Sequence, residues 1–231
     1  MTLRIAATIP AYQAAPSVGA VARGALLELP EVLVVDDGST DGTAEEARRA
    51  GARVHSFARN RGKGAALAFA FADLFGRGFD GVITLDADGQ HLPEEIPKLL
   101  APAAAGGDLV LGVRDHLFSE MGPVRRASNR LSSRVISLAA GQHLADIQTG
   151  FRFYSRRLIE DVGFPEARFE AESAVVVRAA RRGFRVITVP VRLGFADGRT
   201  TSHYRPLLDS LRIAGAVARA RLEMLPWARS S

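Results

Sequence analysis

The sequence predicts an α/β fold, a mostly parallel sheet with helices on both faces, forming a single domain followed by a C-terminal amphipathic helix. Three observations predict it. Strand-like and helix-like segments alternate along the first half of the chain. Polar residues cluster directly after the apolar strand runs. The 231 residues, 47% hydrophobic and 24% charged, suffice for one large domain or a domain with an appendage. The main domain is expected over residues 1–203, with the helix and tail over residues 204–231.

The elements follow in order. Leu3 to Ile9 is an apolar strand run, Ser17 to Leu29 a helix, Val32 to Val35 a short β-branched strand and Thr43 to Ala50 a polar helix. Arg53 to Phe57, Ala65 to Phe75, Val82 to Leu85, Glu94 to Ala104 and Leu109 to Leu111 continue the alternation. Repeated strand–helix units make a parallel sheet, and such sheets bind ligands beyond the carboxyl ends of their strands. From Tyr204 to Leu225 a helix is expected, with Leu208, Leu211, Ala218, Leu222 and Leu225 on one side. Arg212 and Arg219 flank one edge of that face and Arg221 the other, a pattern that suits either a lipid interface or packing on the main domain.

Composition excludes several classes. With no Cys there is neither a disulfide nor a thiolate metal site, and the Gly and Pro content has no triplet period. Lys+Arg 30 against Asp+Glu 25 gives a net charge of +5, and Lys occurs only at Lys63 and Lys98. The rest are Arg, whose planar fork pairs with phosphates and carboxylates. A phosphorylated substrate or an anionic lipid surface fits this balance. A nucleic-acid binder fits poorly, because aromatic residues are only 7% and do not interleave with basic ones. The first ten residues read as a buried strand rather than a signal peptide. The longest apolar stretch, Ala65 to Ala72, falls far short of the ~18 residues that cross a bilayer.

The chemistry-bearing motifs lie at the strand ends. Asp36-Asp37-Gly38-Ser39-Thr40-Asp41-Gly42-Thr43 places two carboxylates and a capped turn after the second strand. One carboxylate would reach a ligand at the sheet edge, where it suits a nucleobase N–H or ribose hydroxyls; the turn also reads simply as a well-capped connection. Asp86-Ala87-Asp88-Gly89-Gln90-His91 follows the fourth strand. Carboxylates at i and i+2 share a side of an extended chain, and with the Gln90 carbonyl they offer hard oxygen donors suited to Mg²⁺ or Mn²⁺ and a diphosphate. His91 reads as a cap or packing residue. Between them, Asn60-Arg61-Gly62-Lys63-Gly64 is a basic, Gly-spaced loop whose N–H groups and Lys63 would face phosphate, though it matches neither the P-loop nor the dinucleotide spacing.

Together with Ile9-Pro10-Ala11-Tyr12 and Asp146-Ile147-Gln148-Thr149-Gly150-Phe151-Arg152, the order and spacing of these motifs resemble the family 2 glycosyltransferases of GT-A (Rossmann-like) fold. Within them the chain is most similar to the dolichyl-phosphate mannose synthase-like, polyprenyl-phosphate sugar transferases, from about Leu3 to Ser202. The resemblance implies that Pro10, Tyr12, Val35, Asp37, Lys63 and Ala87 line a nucleotide sugar, GDP-mannose or a UDP-sugar. It implies that Asp86, Asp88 and Gln90 gather Mg²⁺ or Mn²⁺ and the sugar diphosphate, and that Asp86, Asp88 and Arg114, the last a further donor contact, are the catalytic residues. Arg126, Arg130, Asp146, Gln148 and Thr149 would serve a polyprenyl phosphate acceptor, Arg126 gripping its phosphate. Two departures matter. Ala14 stands where the family has an acidic residue, and Arg199 with His203 stand in a loop that in relatives carries Lys over the diphosphate.

The implied reaction is inverting transfer from a nucleoside diphosphate sugar to a polyprenyl phosphate, at the inner membrane surface from the cytoplasmic side. Transfer to a hydroxyl of a lipid or glycan, with Glu170 or Glu172 as base, and a non-catalytic nucleotide-binding protein are the alternatives.

Overall fold

The computed structural model describes residues 3–114, 137–138, 140–141, 149–194 and 206–223. The first strand, β1 (Ile5–Ala11), leads into α1 (Ala15–Glu28); β2 (Val32–Asp36) is followed by α2 (Thr43–Arg49), and β3 (Arg53–Ser56) by α3 (Lys63–Gly76). Next come β4 (Gly81–Thr84), a 3₁₀ turn (Pro93–Glu95), α4 (Ile96–Ala104) and β5 (Leu109–Arg114). The second half supplies β6 (Arg152–Ser155), α5 (Arg156–Val162), α6 (Glu170–Arg181), β7 (Val186–Val191) and α7 (Pro206–Glu223). The alternation read from the first half is present, with boundaries displaced by at most three residues.

One seven-stranded sheet has the order β3-β2-β1-β4-β6-β5-β7. Pairing is parallel between β1 and β2, β1 and β4, β2 and β3, and β5 and β7. The strand β6 alone runs the other way, antiparallel to both β4 and β5. The reason is positional. β5 ends at Arg114 on the carboxyl edge of the sheet, and the chain returns from that same edge, Arg152 pairing with Thr84 at the end of β4 and with Leu111. Descending from there, β6 brings Thr149 and Gly150 to the edge where Asp86 emerges. The strand order reverses between β1 and β4, and the crevice at such a switch point is where α/β sheets take ligands.

Strand alternation divides the core in two. Leu33, Val35, Val82, Leu109, Leu111 and Tyr154 face α3, α5, α6 and α7. Val32, Val34, Ile83, Val110, Phe151 and Phe153 face α1, α2 and α4. Both faces are covered, so the central strands are apolar on both sides, as parallel sheets require.

The helix α7 packs on α6, but with a different face from the one expected. Ile213, Ala216, Val217 and Ala220 are buried in the core cluster, whereas Leu222 is 51% exposed and Ala218 and Arg219 are also exposed. Small side chains let the two helix axes approach, and Arg178, buried on α6, reaches Glu223 at 3.1 Å. The side chains of Leu208, Leu211 and Arg212, and all of Leu225, lie outside the described residues. No helix among the described residues is long and apolar enough to cross a membrane.

Ala220 has no exposed surface, so Ala220→Glu should destabilise the protein by at least about 2 kcal/mol, an unpaired charge being driven into the α6 interface. Leu222→Glu should stay within about 0.5 kcal/mol. Urea unfolding of the two variants checks the contrast, and equal costs would mean that α7 is not docked through this face.

Candidate active site

The carboxyl edges of β1, β2 and β4 are tied together by side chains that cross between loops. After β1, Gln13 adopts φ +52°, and its N–H donates to Ser39 Oγ at 2.9 Å while Thr40 N–H donates to Gln13 Oε1 at 3.1 Å. The N-terminus of α1 is satisfied from the neighbouring loop: Ala14 N–H donates to Thr43 Oγ1 at 2.8 Å and Ala15 N–H to Asp41 Oδ2 at 3.0 Å. The Asp41–Thr43 stretch therefore caps the preceding helix, and α2 begins after Gly42 without a side-chain cap. Ala14, where the family has an acid, is buried beneath these contacts.

Asp36 and Asp37 are both 3% exposed. Asp36 Oδ1 accepts from Ser39 N–H at 3.0 Å, an ordinary turn closure. Asp37 accepts the N–H of Arg61 at 2.6 Å and of Gly62 at 2.8 Å, one on each oxygen. Burial pushes its carboxyl above the usual range, and the two N–H donors oppose that. Asp37 thus organises the basic loop, with Val35 fully buried behind it, Pro10 half-buried and Tyr12 exposed at the rim.

The basic loop is not an open phosphate cradle. Ala65 N–H donates to Ala167 O at 2.9 Å, and Gly62 (φ +99°) and Gly64 allow backbone contact with residues 166–168. A Cβ on Gly64 would lie 2.7 Å from Ala167 C and 2.8 Å from Arg168 O. The Lys63 ammonium is turned inward, 2.6 Å from Asp86 Oδ1 and 2.8 Å from Glu172 Oε2. The sequence reading placed Lys63 on the sugar diphosphate; here it lies between two carboxylates.

Asp86, its side chain 31% exposed, is the centre of a partly buried charge cluster. Gly150, by lacking a Cβ, leaves room for its carboxylate, and Thr84 Oγ1 anchors Gly150 O at 2.7 Å. Arg152, with no exposed surface, donates from Nε to Thr149 O at 2.7 Å and from Nη1 to Glu172 O at 2.5 Å, its Nε lying 3.9 Å from Glu172 Oε1. Burial pushes the Asp86 carboxyl up, but the Lys63 ammonium, with Arg152 behind it, more than offsets this and holds it from its ordinary 3.8 down to about 2. Beside it the Tyr154 hydroxyl is pushed up to about 12, chiefly by burial. Glu172 Oε1 and Glu170 Oε2 are buried with no hydrogen-bond partner among the described residues.

The rest of the carboxylate turn is half-buried. Asp88, half-buried, accepts Gln90 N–H on Oδ1 at 3.0 Å, and its Oδ2 makes no hydrogen bond or ion pair among the described residues. Ser17 on α1 holds Ala87 O at 2.6 Å, and Gly194 N–H donates to Gln90 O at 2.9 Å, so the turn is fixed from both sides. His91 is 7% exposed, accepts Asp86 N–H on Nδ1 at 3.1 Å and stacks on Phe151, which makes it a packing and positioning residue.

A divalent cation fits this donor set in one way. No three His, Asp or Glu converge among the described residues. Asp88 presents a hard carboxylate oxygen, Gln90 stands beside it and Asp86 is held by Lys63. Mg²⁺ and Mn²⁺ commonly take one or two protein carboxylates and complete their shell with substrate phosphates and water.

Of the remaining expected residues, Arg114 ends β5 at the same edge, its side chain outside the described residues. Thr149 is buried, its hydroxyl accepting Phe151 N–H at 3.1 Å. Arg126, Arg130, Asp146, Gln148, Arg199 and His203 lie outside the described residues. The partnership of Lys63 with Glu172 was missed, because 109 positions separate them and no local pattern links them.

Residues 7–163 match the family model described as Glycosyl transferase family 2. The chain belongs to the family 2 glycosyltransferases. It is 30% identical over 238 residues to the undecaprenyl-phosphate mannosyltransferase of Micrococcus luteus, covering 97% of this chain and 94% of that protein. It is 33% identical over 175 residues to the polyprenol monophosphomannose synthase of Mycolicibacterium smegmatis, covering 69% and 65%. Glycosyltransferase AglJ of Haloferax volcanii is 34% identical over 192 residues, 80% of this chain but only 60% of that protein's length. Glucosyl-3-phosphoglycerate synthase from Mycobacterium tuberculosis, solved with Mn²⁺ and UDP, superposes with a TM-score of 0.71 at 20% identity over 96% of this chain and 80% of its own. That likeness establishes a GT-A-like fold.

Two outcomes follow from the geometry. Gly64→Ala should cost about 1–3 kcal/mol, because the added methyl meets backbone rather than a yielding side chain. Gly76→Ala, with nothing within 4 Å of the new Cβ, should be neutral or stabilising by up to about 1 kcal/mol. Thermal melts of the pair decide it. For pH, a carboxyl held below its ordinary value stabilises the fold above pH 4, and that contribution disappears as pH falls from about 4 to about 2. In EDTA, the stability advantage of wild type over Asp86→Asn in urea should therefore narrow between pH 5 and pH 2.5; a constant gap would mean that Asp86 is not ion-paired.

Proposed function

We propose that the chain transfers a sugar, with inversion, from a nucleoside diphosphate sugar to a polyprenyl phosphate. The observation that carries the reading is the Asp86–Asp88 turn at the switch point of the sheet, where Asp88 Oδ2 has no partner among the described residues and Asp86 is held by Lys63. The names of the Micrococcus and Mycolicibacterium relatives support the acceptor class.

In this reading Pro10, Tyr12 and Val35 line the nucleotide at the ends of β1 and β2, while Asp37 maintains the loop that carries Lys63. Asp88 and Gln90, with Asp86 beside them, would hold Mg²⁺ or Mn²⁺. The bound ion supplies Lewis-acid stabilisation of the charge that develops on the departing nucleoside diphosphate. Arg114, Arg199 and His203 are assigned to the donor, and Arg126, Arg130, Asp146, Gln148 and Thr149 to the acceptor. A phosphate oxygen of the acceptor attacks the anomeric carbon as the bond to the diphosphate oxygen breaks, and the nucleoside diphosphate leaves with the bonding electrons. No proton moves, because the acceptor is already anionic, and no general base is required. The main domain then occupies residues 1–203, and residues 204–231 form the helix and tail. A polyprenyl acceptor brings the protein to the cytoplasmic membrane surface as a peripheral protein, where its excess of Arg favours anionic lipid.

Purified protein incubated with nucleotide sugars, Mn²⁺ and undecaprenyl phosphate should yield a sugar extractable into organic solvent, and undecaprenol should not replace the phosphate. Asp88→Asn should lower kcat on the order of 100-fold while leaving the fold intact, and EDTA should abolish turnover. Transfer to undecaprenol, or full activity in EDTA, would overturn the reading.

A further inference from the structure

We propose that Glu172 is a positioning residue of the transfer site, acting through Lys63 to set the carboxylate of Asp86. The inference rests on the reading that the Asp86–Asp88 turn receives the sugar diphosphate.

The contacts form a chain across three elements. Glu172, in the first turn of α6, places Oε2 2.8 Å from Lys63 Nζ at the start of α3, and Lys63 Nζ lies 2.6 Å from Asp86 Oδ1 after β4. All three side chains are held. Glu172 is 6% exposed, and its backbone carbonyl accepts from the buried Arg152. Gly62 and Gly64 dock the Lys63 loop on residues 166–168 just ahead of α6.

Charge accounting explains why an acid is needed at this position. Lys63 and Arg152 balance Asp86 and Glu172, so the set is neutral before any diphosphate arrives. Without Glu172, Lys63 would have Asp86 as its one partner within this set and would follow that carboxylate rather than fix it. With Glu172 in place, the ammonium is held at a defined point and Asp86 is oriented against it. A buried ion pair is weak evidence for stability, because apolar residues of similar volume commonly do as well. Here the pair ends on a carboxylate of the site, as outer partners of metal and diphosphate ligands do. The same contact argues against Glu172 as a general base, since one of its oxygens is paired to an ammonium and the other is buried.

The test measures binding of UDP and of GDP with Mn²⁺ by calorimetry, together with kcat and thermal melting. Glu172→Gln should weaken Mn²⁺–nucleotide binding and lower kcat, each by roughly tenfold or more, with little change in Tm. The double variant Lys63→Met/Glu172→Gln should be no worse than the worse single variant, because the two residues act as a unit. Lys63→Arg, which keeps the charge, should lose less binding than Lys63→Met and keeps the test open if a charge-removing variant fails to fold. Unchanged Mn²⁺–nucleotide affinity with a fall in kcat alone would mark Glu172 as a base and overturn the proposal. Additive losses, equal losses for Lys63→Arg and Lys63→Met, or losses that track Tm would also overturn it. If wild type binds neither diphosphate with Mn²⁺, the transfer reading itself fails; if wild type binds and the variants match it, only this inference fails.

Discussion

The Lys63 ammonium held between Asp86 and Glu172 is the interaction on which the site depends. An ammonium taken out of water costs several kcal/mol unless it is paired, so the loop carrying it must bring it to two acids at once. Three features make that geometry available. Asp37 fixes the N–H groups of Arg61 and Gly62, Gly64 removes the bulk that would hold residues 166–168 away, and Gly150 clears space beside Asp86. Each belongs to a different segment: Asp37 follows β2, Gly64 opens α3 and Gly150 precedes β6. The ends of β2, β4 and β6 are thereby coupled through a single charge.

A second constraint is that the loops at this edge satisfy one another. Helix α1 starts without a capping side chain of its own, and its N–H groups are met by Asp41 and Thr43 from the next connection. Ser17 on α1 holds Ala87 in the carboxylate turn. A backbone that depends on partners in neighbouring loops is fixed without regular structure, and Asp88 sits on such a backbone. Preorganisation of that kind is what charge stabilisation during group transfer demands.

The first half of the fold was legible because each element carries its own period: strands such as Val32–Asp36 are apolar runs, and Ala65 to Phe75 keeps an apolar stripe at helical spacing. The reversed strand β6 was not. Arg152 and Tyr154 on one side and Phe151 and Phe153 on the other look half-exposed in sequence, yet all are buried, because Arg152 finds carbonyl and carboxylate partners from distant segments. Helix α7 runs from Pro206 to Glu223, and large Leu residues dominate its sequence pattern while Ile213, Ala216, Val217 and Ala220 are the residues buried in the core. For the site, the Asp37 and Asp86–Asp88 positions were readable from strand-end motifs. The partner of Lys63 was not, as electrostatic pairing at long range leaves no local signature.

The nature of the acceptor bears on how the acids of α6 can be used. Attack by a hydroxyl requires a carboxylate with an accessible oxygen near the incoming group, and a residue whose oxygens are paired to an ammonium or buried does not offer one. A phosphate acceptor lifts that requirement, because its nucleophilic oxygen is anionic before it arrives. The acid at position 172 is then available to hold Lys63, and its carbonyl to receive Arg152. In this chain that acid faces the interior, where its charge balances the cluster around Asp86.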